Sequence, residues 1–232
     1  MSKLLGRLPL TKVFSTGSKN LDNLLNNGYM SGEATHFYGE SGSGKTGIAL
    51  QSAIECVKEG FLCIYISSER FSSERLKQLM GYNTQIGSDI LVFKTRTFDE
   101  QTRAINKIPQ KIEDEEKELG LVVVDGLTSF YAPSSFEKEE RIRHKKELAN
   151  QLVFLLGNAR KRGFSLLFLN QVYRDIDTDE LKPRGGRLVM DICSNNVELK
   201  KTKGSKRLAI LRKPNFDPID STPLTIKEEG IL

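Results

Sequence analysis

Compact apolar blocks alternate along this chain with longer, charged, amphipathic stretches. Leu62-Cys63-Ile64-Tyr65-Ile66, Ile90-Leu91-Val92-Phe93 and Leu121-Val122-Val123-Val124 are three such blocks, and 164–170 is a fourth. Unbroken apolar runs of this length predict strands buried on both faces, as in a parallel sheet covered by helices. An earlier strand is predicted over 33–38, where aromatic and β-branched residues alternate. Between the blocks, residues 47–58 place apolar side chains on one helical face, and Gly60 supplies a stop. Ser72 or Ser73 can cap a helix to Met80. Residues 98–118 read as a charged helix that Pro109 must kink or divide. A long helix of mixed charge follows over 137–161. Near the start, 21–25 form a short helix closed by Asn26-Asn27-Gly28.

The pattern changes after residue 190. Val197-Glu198-Leu199-Lys200 and Arg207-Leu208-Ala209-Ile210-Leu211 flank Lys203-Gly204-Ser205, which predicts a hairpin, and 224–226 supply a last strand. The fold class is therefore α/β: a mainly parallel central sheet flanked by helices, with a C-terminal antiparallel hairpin extension. No internal repeat or low-complexity linker divides the chain, so we expect one domain over 15–232 after a short arm, 1–14.

One polar stretch changes this picture from architecture to chemistry. Gly39-Glu40-Ser41-Gly42-Ser43-Gly44-Lys45-Thr46 has the form G-x-x-x-x-G-K-[ST] and sits between a predicted strand and a predicted helix, the context a phosphate-binding loop needs. The glycines let successive N–H groups point into one concave anion site. Lys45 can reach β- and γ-phosphates as a point charge, and the Thr46 hydroxyl is placed to hold Mg²⁺. The helix that starts here adds the positive end of its dipole.

Composition narrows the field. The 232 residues carry a net charge of +5, which permits contact with nucleic acid without establishing it. The three cysteines, Cys56, Cys63 and Cys193, form no C-x-x-C and read as reduced, buried thiols. No apolar run approaches membrane-spanning length, and the first residues lack a signal-peptide core; the expectation is a cytoplasmic protein.

Hydrolysing a nucleotide also needs a metal partner, a group to orient water and a γ-phosphate sensor. Asp125 ends a buried strand, where an acid is costly without a cation or donors, and is the candidate metal-associated acid. Glu69, after the 62–66 strand, is the candidate for polarising the attacking water, against the plainer reading of a surface glutamate. Gln171, following 164–170, is the candidate sensor, against that of a strand-end amide. Basic residues gather in the hairpin, at Lys200, Lys201, Lys203, Lys206 and Arg207, either as a solvated face or as a stripe for nucleic-acid phosphates.

Taken in order, Ser15-Thr16-Gly17, the loop above, Tyr65-Ile66-Ser67-Ser68-Glu69, Glu74-Arg75-Leu76, Val122 to Leu127, Asn170-Gln171-Val172 and Lys182-Pro183-Arg184-Gly185-Gly186 resemble the RecA-type ATPases, and within them the archaeal recombinases. The resemblance covers roughly 13–230 and implies a RecA-like core using ATP and Mg²⁺. It implies that Gly39, Glu40, Ser41, Gly42, Ser43, Gly44, Lys45 and Thr46 are the Walker A loop and Asp125 the Walker B acid. It makes Glu69 the catalytic glutamate, with Lys45 and Gln171 assisting, and Arg75 the arginine that stacks on adenine. Two DNA-binding segments are implied, about 131–146 with Lys145, and 173–186 with Arg174 and Arg184.

The chain departs from that pattern in having Ser67 where an acid is usual, an acidic second segment, no clear F-x-x-A motif and no helix-hairpin-helix domain before the core. These departures point away from long filaments, while allowing self-association. They also point away from strong strand exchange. They favour an accessory role with weak ATPase activity, single-stranded DNA and a RadA-type recombinase as partners, and an association with chromosomal DNA. Two rival readings are a KaiC-like signalling ATPase or autokinase, which the Glu69-Arg70 pair disfavours, and a non-hydrolysing adaptor gated by ATP.

Overall fold

A computed structural model describes residues 11–69, 71–81, 84–131, 137–175 and 179–232, with backbone alone for 84–86. Most of the expected arm (1–10), Arg70, and parts of both expected DNA segments (132–136 and 176–178) lie outside the described residues.

The apolar blocks become strands as their composition demands. In chain order the elements that position the site are β1 (Val13–Phe14), α1 (Lys19–Leu24), β2 (Tyr29–Met30), β3 (Ala34–Gly39), α2 (Lys45–Lys58), β4 (Leu62–Ser67), α3 (Ser73–Met80) and β5 (Ile90–Lys94). Then come α4 (Phe98–Asn106), α5 (Ile108–Asp114), β6 (Leu119–Asp125), α6 (Lys138–Arg162), β7 (Ser165–Arg174), β8 (Leu181–Pro183), α7 (Arg187–Ile192), β9 (Asn195–Lys201), β10 (Lys206–Arg212) and β11 (Pro218–Thr225). Pro109 divides the charged helix: it falls in the first turn of α5, where its missing N–H is no loss.

Among the described residues the central sheet runs β11-β10-β9-β3-β7-β6-β4-β5, with β8 pairing β7 off this path. Every pair from β9 to β5 is parallel, whereas β9-β10, β10-β11 and β7-β8 are antiparallel. The expected hairpin extension is present, and one other feature departs from the sequence expectation. The strand β9 is half of a hairpin with β10 and also joins β3 in parallel, so the hairpin extends the sheet. Strand β7 continues to Arg174 and folds back as β8, so part of the region read as a loop is a short ribbon. Among the described residues its two arms pair only with each other, outside the covered sheet, so the run need not be apolar and periodicity does not reveal it.

Side-chain alternation sorts the strands onto two cores. Cys63, Tyr65, Leu121, Val123, Leu167 and Leu169 pack with α2, while Ile64, Ile66, Val122, Val124, Leu166 and Phe168 pack with α4 and α6. The same parity sends Asp125 and Gln171 toward the α2 face and His36 and Asn170 toward the other. The parallel strand ends therefore present functional side chains to both sides of one sheet edge.

Candidate nucleotide-binding site

Strand β3 ends at Gly39 and α2 begins at Lys45, so the glycine-rich run is the turn between them. A Cβ at Gly39 would lie 2.4 Å from the Leu199 carbonyl oxygen of β9, so only glycine lets β3 pass β9 there. Gly44 caps α2 with φ +106°, a conformation that favours glycine. The buried Lys45 ammonium donates to the carbonyls of Gly39 (2.8 Å) and Glu40 (2.9 Å). Burial pulls it below the ordinary lysine range, and the carboxylates of Glu69 and Asp125 oppose that shift.

Asp125 ends β6 and is 3% exposed. Its Oδ2 accepts from the Tyr65 hydroxyl (2.7 Å) and the Thr46 hydroxyl (3.1 Å). Burial pushes its carboxyl above the usual range; the Tyr65 bond lowers it, the Glu69 charge raises it, and Thr46 and Lys45 lower it. A sunken carboxylate beside a hydroxyl, with neutral hydrogen-bond donors, has the chemistry to accept a hard cation. The residues therefore fit Mg²⁺, which keeps waters and substrate oxygens as most of its ligands.

Glu69 follows β4, and Gln171 lies on the central strand β7, opposite Gly39 where β3 ends. They are 102 positions apart, and the Gln171 amide donates to Glu69 Oε1 at 2.7 Å. The Ser129 hydroxyl lies 3.4 Å from the same oxygen. This pair stands between two cavities and lines both. The larger, about 700 Å³, also has Lys45, Thr46, Arg75 and Ile226 in its walls. The smaller, about 220 Å³, is completed by Thr128, Ser129 and Arg184.

Sequence reasoning missed one wall of the larger cavity. The segment after β11 turns at 227–230 and returns as Ile231, which pairs with Ile226. Gln51 on α2 holds this strap through both its amide atoms, accepting from Ile231 N–H (2.7 Å) and donating to Ile231 O (3.1 Å). Ile226 and Ile231 press on Gly44 and Gly47. Arg75, expected against adenine, lines the cavity and donates to the carbonyls of Lys227 and Glu228, each at 2.8 Å. No local motif announces such a wall; its only signal is a pair of isoleucines around Gly230.

The expected DNA contacts differ in exposure and pairing. Lys145 is exposed on α6; Arg174 is exposed and paired with Asp179 at 3.0 Å; Arg184 is half-buried. Part of the basic hairpin has a place that neither reading foresaw. Arg207 donates to the Gly42 carbonyl at 3.0 Å, and Lys201 Nζ would lie 3.6 Å from a Cβ at Gly42. Both cations therefore border the phosphate loop.

A parallel sheet of this order, carrying a G-x-x-x-x-G-K-T loop and a strand-end acid bonded to its threonine, defines a RecA-type P-loop core. The chain belongs to the Rad51 family, whose profile matches residues 9–232. It is 40% identical over 92% of its length to the DNA repair and recombination protein RadB of Methanococcoides burtonii, covering 94% of that protein. RadB of Archaeoglobus fulgidus is 31% identical over 86% of this chain and 89% of its own, and RadB of Thermococcus kodakarensis 34% over 89% and 92%. The chain is thus a RadB-like paralogue of the RecA-type recombinases, a family of DNA-dependent ATPases that bind ATP with Mg²⁺ and act on DNA. Among the described residues, no helix is long and apolar enough to cross a membrane.

Proposed function

We propose that this chain is an ATP- and DNA-binding accessory protein of homologous recombination and repair, with weak DNA-linked ATPase activity and little strand exchange of its own. The observation that carries the reading is the Gln171–Glu69 hydrogen bond, 2.7 Å long. It joins Glu69, the residue proposed to orient water, to the strand that runs into the β7–β8 ribbon. Thr46 and Asp125 would hold Mg²⁺, which offsets charge on the phosphate oxygens. Lys45 and the loop amides bind the phosphates, Glu69 orients the attacking water, and Gln171 responds to the γ-phosphate. Arg75 and the 226–231 strap bound the space for the base. Lys145, Arg174 and Arg184 are candidate phosphate contacts for single-stranded DNA. A RadA-type recombinase is the proposed protein partner, at chromosomal DNA in the cytoplasm. Self-association stops short of a long filament.

The test is ATP turnover by wild type and Gln171→Ala, with and without single-stranded DNA. DNA should raise wild-type turnover, and the variant should lose that rise while still binding ATP. Tight ATP binding without turnover in wild type would instead support the non-hydrolysing adaptor. Lys45→Ala should weaken ATP binding by about 100-fold, the order expected for a lost charge contact to phosphate; unchanged affinity refutes the loop assignment.

A further inference from the structure

On the sheet face away from the nucleotide, three strands contribute one polar residue each to a buried cluster. His36 on β3 is directly opposite Asn196 on β9, and Asn170 lies on neighbouring β7; all three are at most 1% exposed. His36 Nδ1 is 3.1 Å from Asn196 Oδ1, and Nε2 is 3.0 Å from Asn170 Nδ2. Both amides are oriented from outside the ring. Asn196 Nδ2 donates to the Met190 carbonyl (2.9 Å), so its oxygen must face Nδ1. Asn170 Oδ1 accepts from the Thr128 N–H (3.2 Å) and hydroxyl (2.9 Å), so its NH₂ must face Nε2. Two independent anchors thus require the same imidazole, neutral and protonated on Nδ1.

Asn170 is fully used. Its second N–H donates to the Arg184 carbonyl at 3.3 Å, so one side chain ties the segment leaving β6 to the one leaving β8. The next residue is Gln171, which faces the other way and donates to Glu69. The Arg184 N–H in turn donates to the Gln171 carbonyl (3.0 Å). Thr128, Arg184, Gln171 and Glu69 all line the smaller cavity.

We infer that His36 is a positioning residue: as the neutral Nδ1–H tautomer it fixes the Asn170 amide, which holds Thr128 and Arg184 and so sets the strand end that aims Gln171 at Glu69. The inference rests on the proposed role of the Gln171–Glu69 pair. A phenylalanine at 36 would fill the space but offer Asn170 no acceptor, leaving one N–H of a buried amide unpaired and its hold on Thr128 and Arg184 weakened.

The test begins with nitrogen–proton correlation spectra of the histidine rings near neutral pH. Wild-type His36 should show the neutral Nδ1–H pattern. In Asn170→Asp a carboxylate faces Nε2, and His36 should become a charged imidazolium, a change that mere packing does not cause. In His36→Phe, the Thr128 and Arg184 amides should exchange about tenfold faster. ATP turnover should fall about tenfold at saturating ATP, with KM held within about twofold. A wild-type Nε2–H tautomer, a neutral His36 in Asn170→Asp, or unaltered exchange in His36→Phe would overturn the inference. Should His36→Phe fail to fold, the wild-type and Asn170→Asp spectra decide. Absent turnover in wild type would defeat the proposed ATPase role, while spectra and exchange still judge His36.

Discussion

Asp125 shows how one side chain's surroundings set what it can do. It is nearly sealed from water, yet its Oδ2 draws on two hydroxyls. Burial disfavours its charge, and the Tyr65 and Thr46 bonds restore part of what burial removes. Tyr65→Phe should therefore push the carboxyl further up and weaken Mg²⁺-dependent ATP binding. A lost hydrogen bond to a charged group is worth about 1.5–3 kcal/mol. Titrating ATP at several Mg²⁺ concentrations measures it, and an unchanged Mg²⁺ dependence would show that Asp125 needs no help from Tyr65. Glu69 differs: it is exposed after β4 and has an amide on one oxygen, which suits the water-orienting role proposed for it.

Helix α2 illustrates what an element contributes beyond its motif. Its first turn carries Lys45 and Thr46; six residues on from Lys45, Gln51 grips the strap by both backbone groups of Ile231. One helix thus carries the phosphate end of the larger cavity and holds the strap that packs beside it. Gln51→Ala removes both bonds and should loosen the strap without changing any residue of the phosphate loop. We expect ATP affinity to fall about tenfold, the equivalent of roughly 1.4 kcal/mol, and the amides of Thr225 and Leu232 to exchange faster. Equal affinity in wild type and variant would mean the strap takes no part in binding. Strand β7 divides its work between the faces: Asn170 serves the segments leaving β6 and β8, and Gln171 serves the nucleotide side.

At the scale of the whole molecule, the buried cluster around His36 has a consequence for stability. Burial lowers the His36 pKa from 6.5 to about 4, while the Asn196 bond opposes the shift; the groups facing the ring are the amides of Asn170 and Asn196 and the ring of Tyr38. The unfolded chain takes up a proton at His36 below pH 6.5 and the native protein does not, so this group's contribution to stability is constant above 6.5 and falls as pH drops toward 4. The loss attributable to this group is about 3 kcal/mol. Denaturant unfolding at pH 7.5 and 4.5 should show a smaller drop for His36→Phe than for wild type; equal drops would contradict it. The +5 charge bears on binding: if Lys145, Arg174 and Arg184 meet phosphates, affinity for single-stranded DNA should fall steeply with salt, about 0.7 log units per contact per log unit of salt. A flat response would remove these residues from the DNA surface.

The chain's local patterns were enough for the main strands and helices and for the phosphate loop, but not for the β7–β8 ribbon or the short helix α7. Uniform apolar runs such as 121–124 can satisfy themselves only between two helical layers, and the spacing of Gly39, Gly44, Lys45 and Thr46 carries its chemistry within eight residues. Asp125, Glu69 and Gln171 could be singled out because each polar group ends an apolar run. What no local pattern contains is the partner. Glu69 meets Gln171 across 102 positions, Gln51 holds Ile231 across 180, and His36 reads Asn170 and Asn196 across 134 and 160. Those meetings were decided by strand order and by the two-residue alternation that assigns each side chain a face. Lys201 and Arg207 make the same point: as sequence they are two more charges in a basic hairpin. The parallel pairing of β9 with β3 sets them beside the phosphate loop.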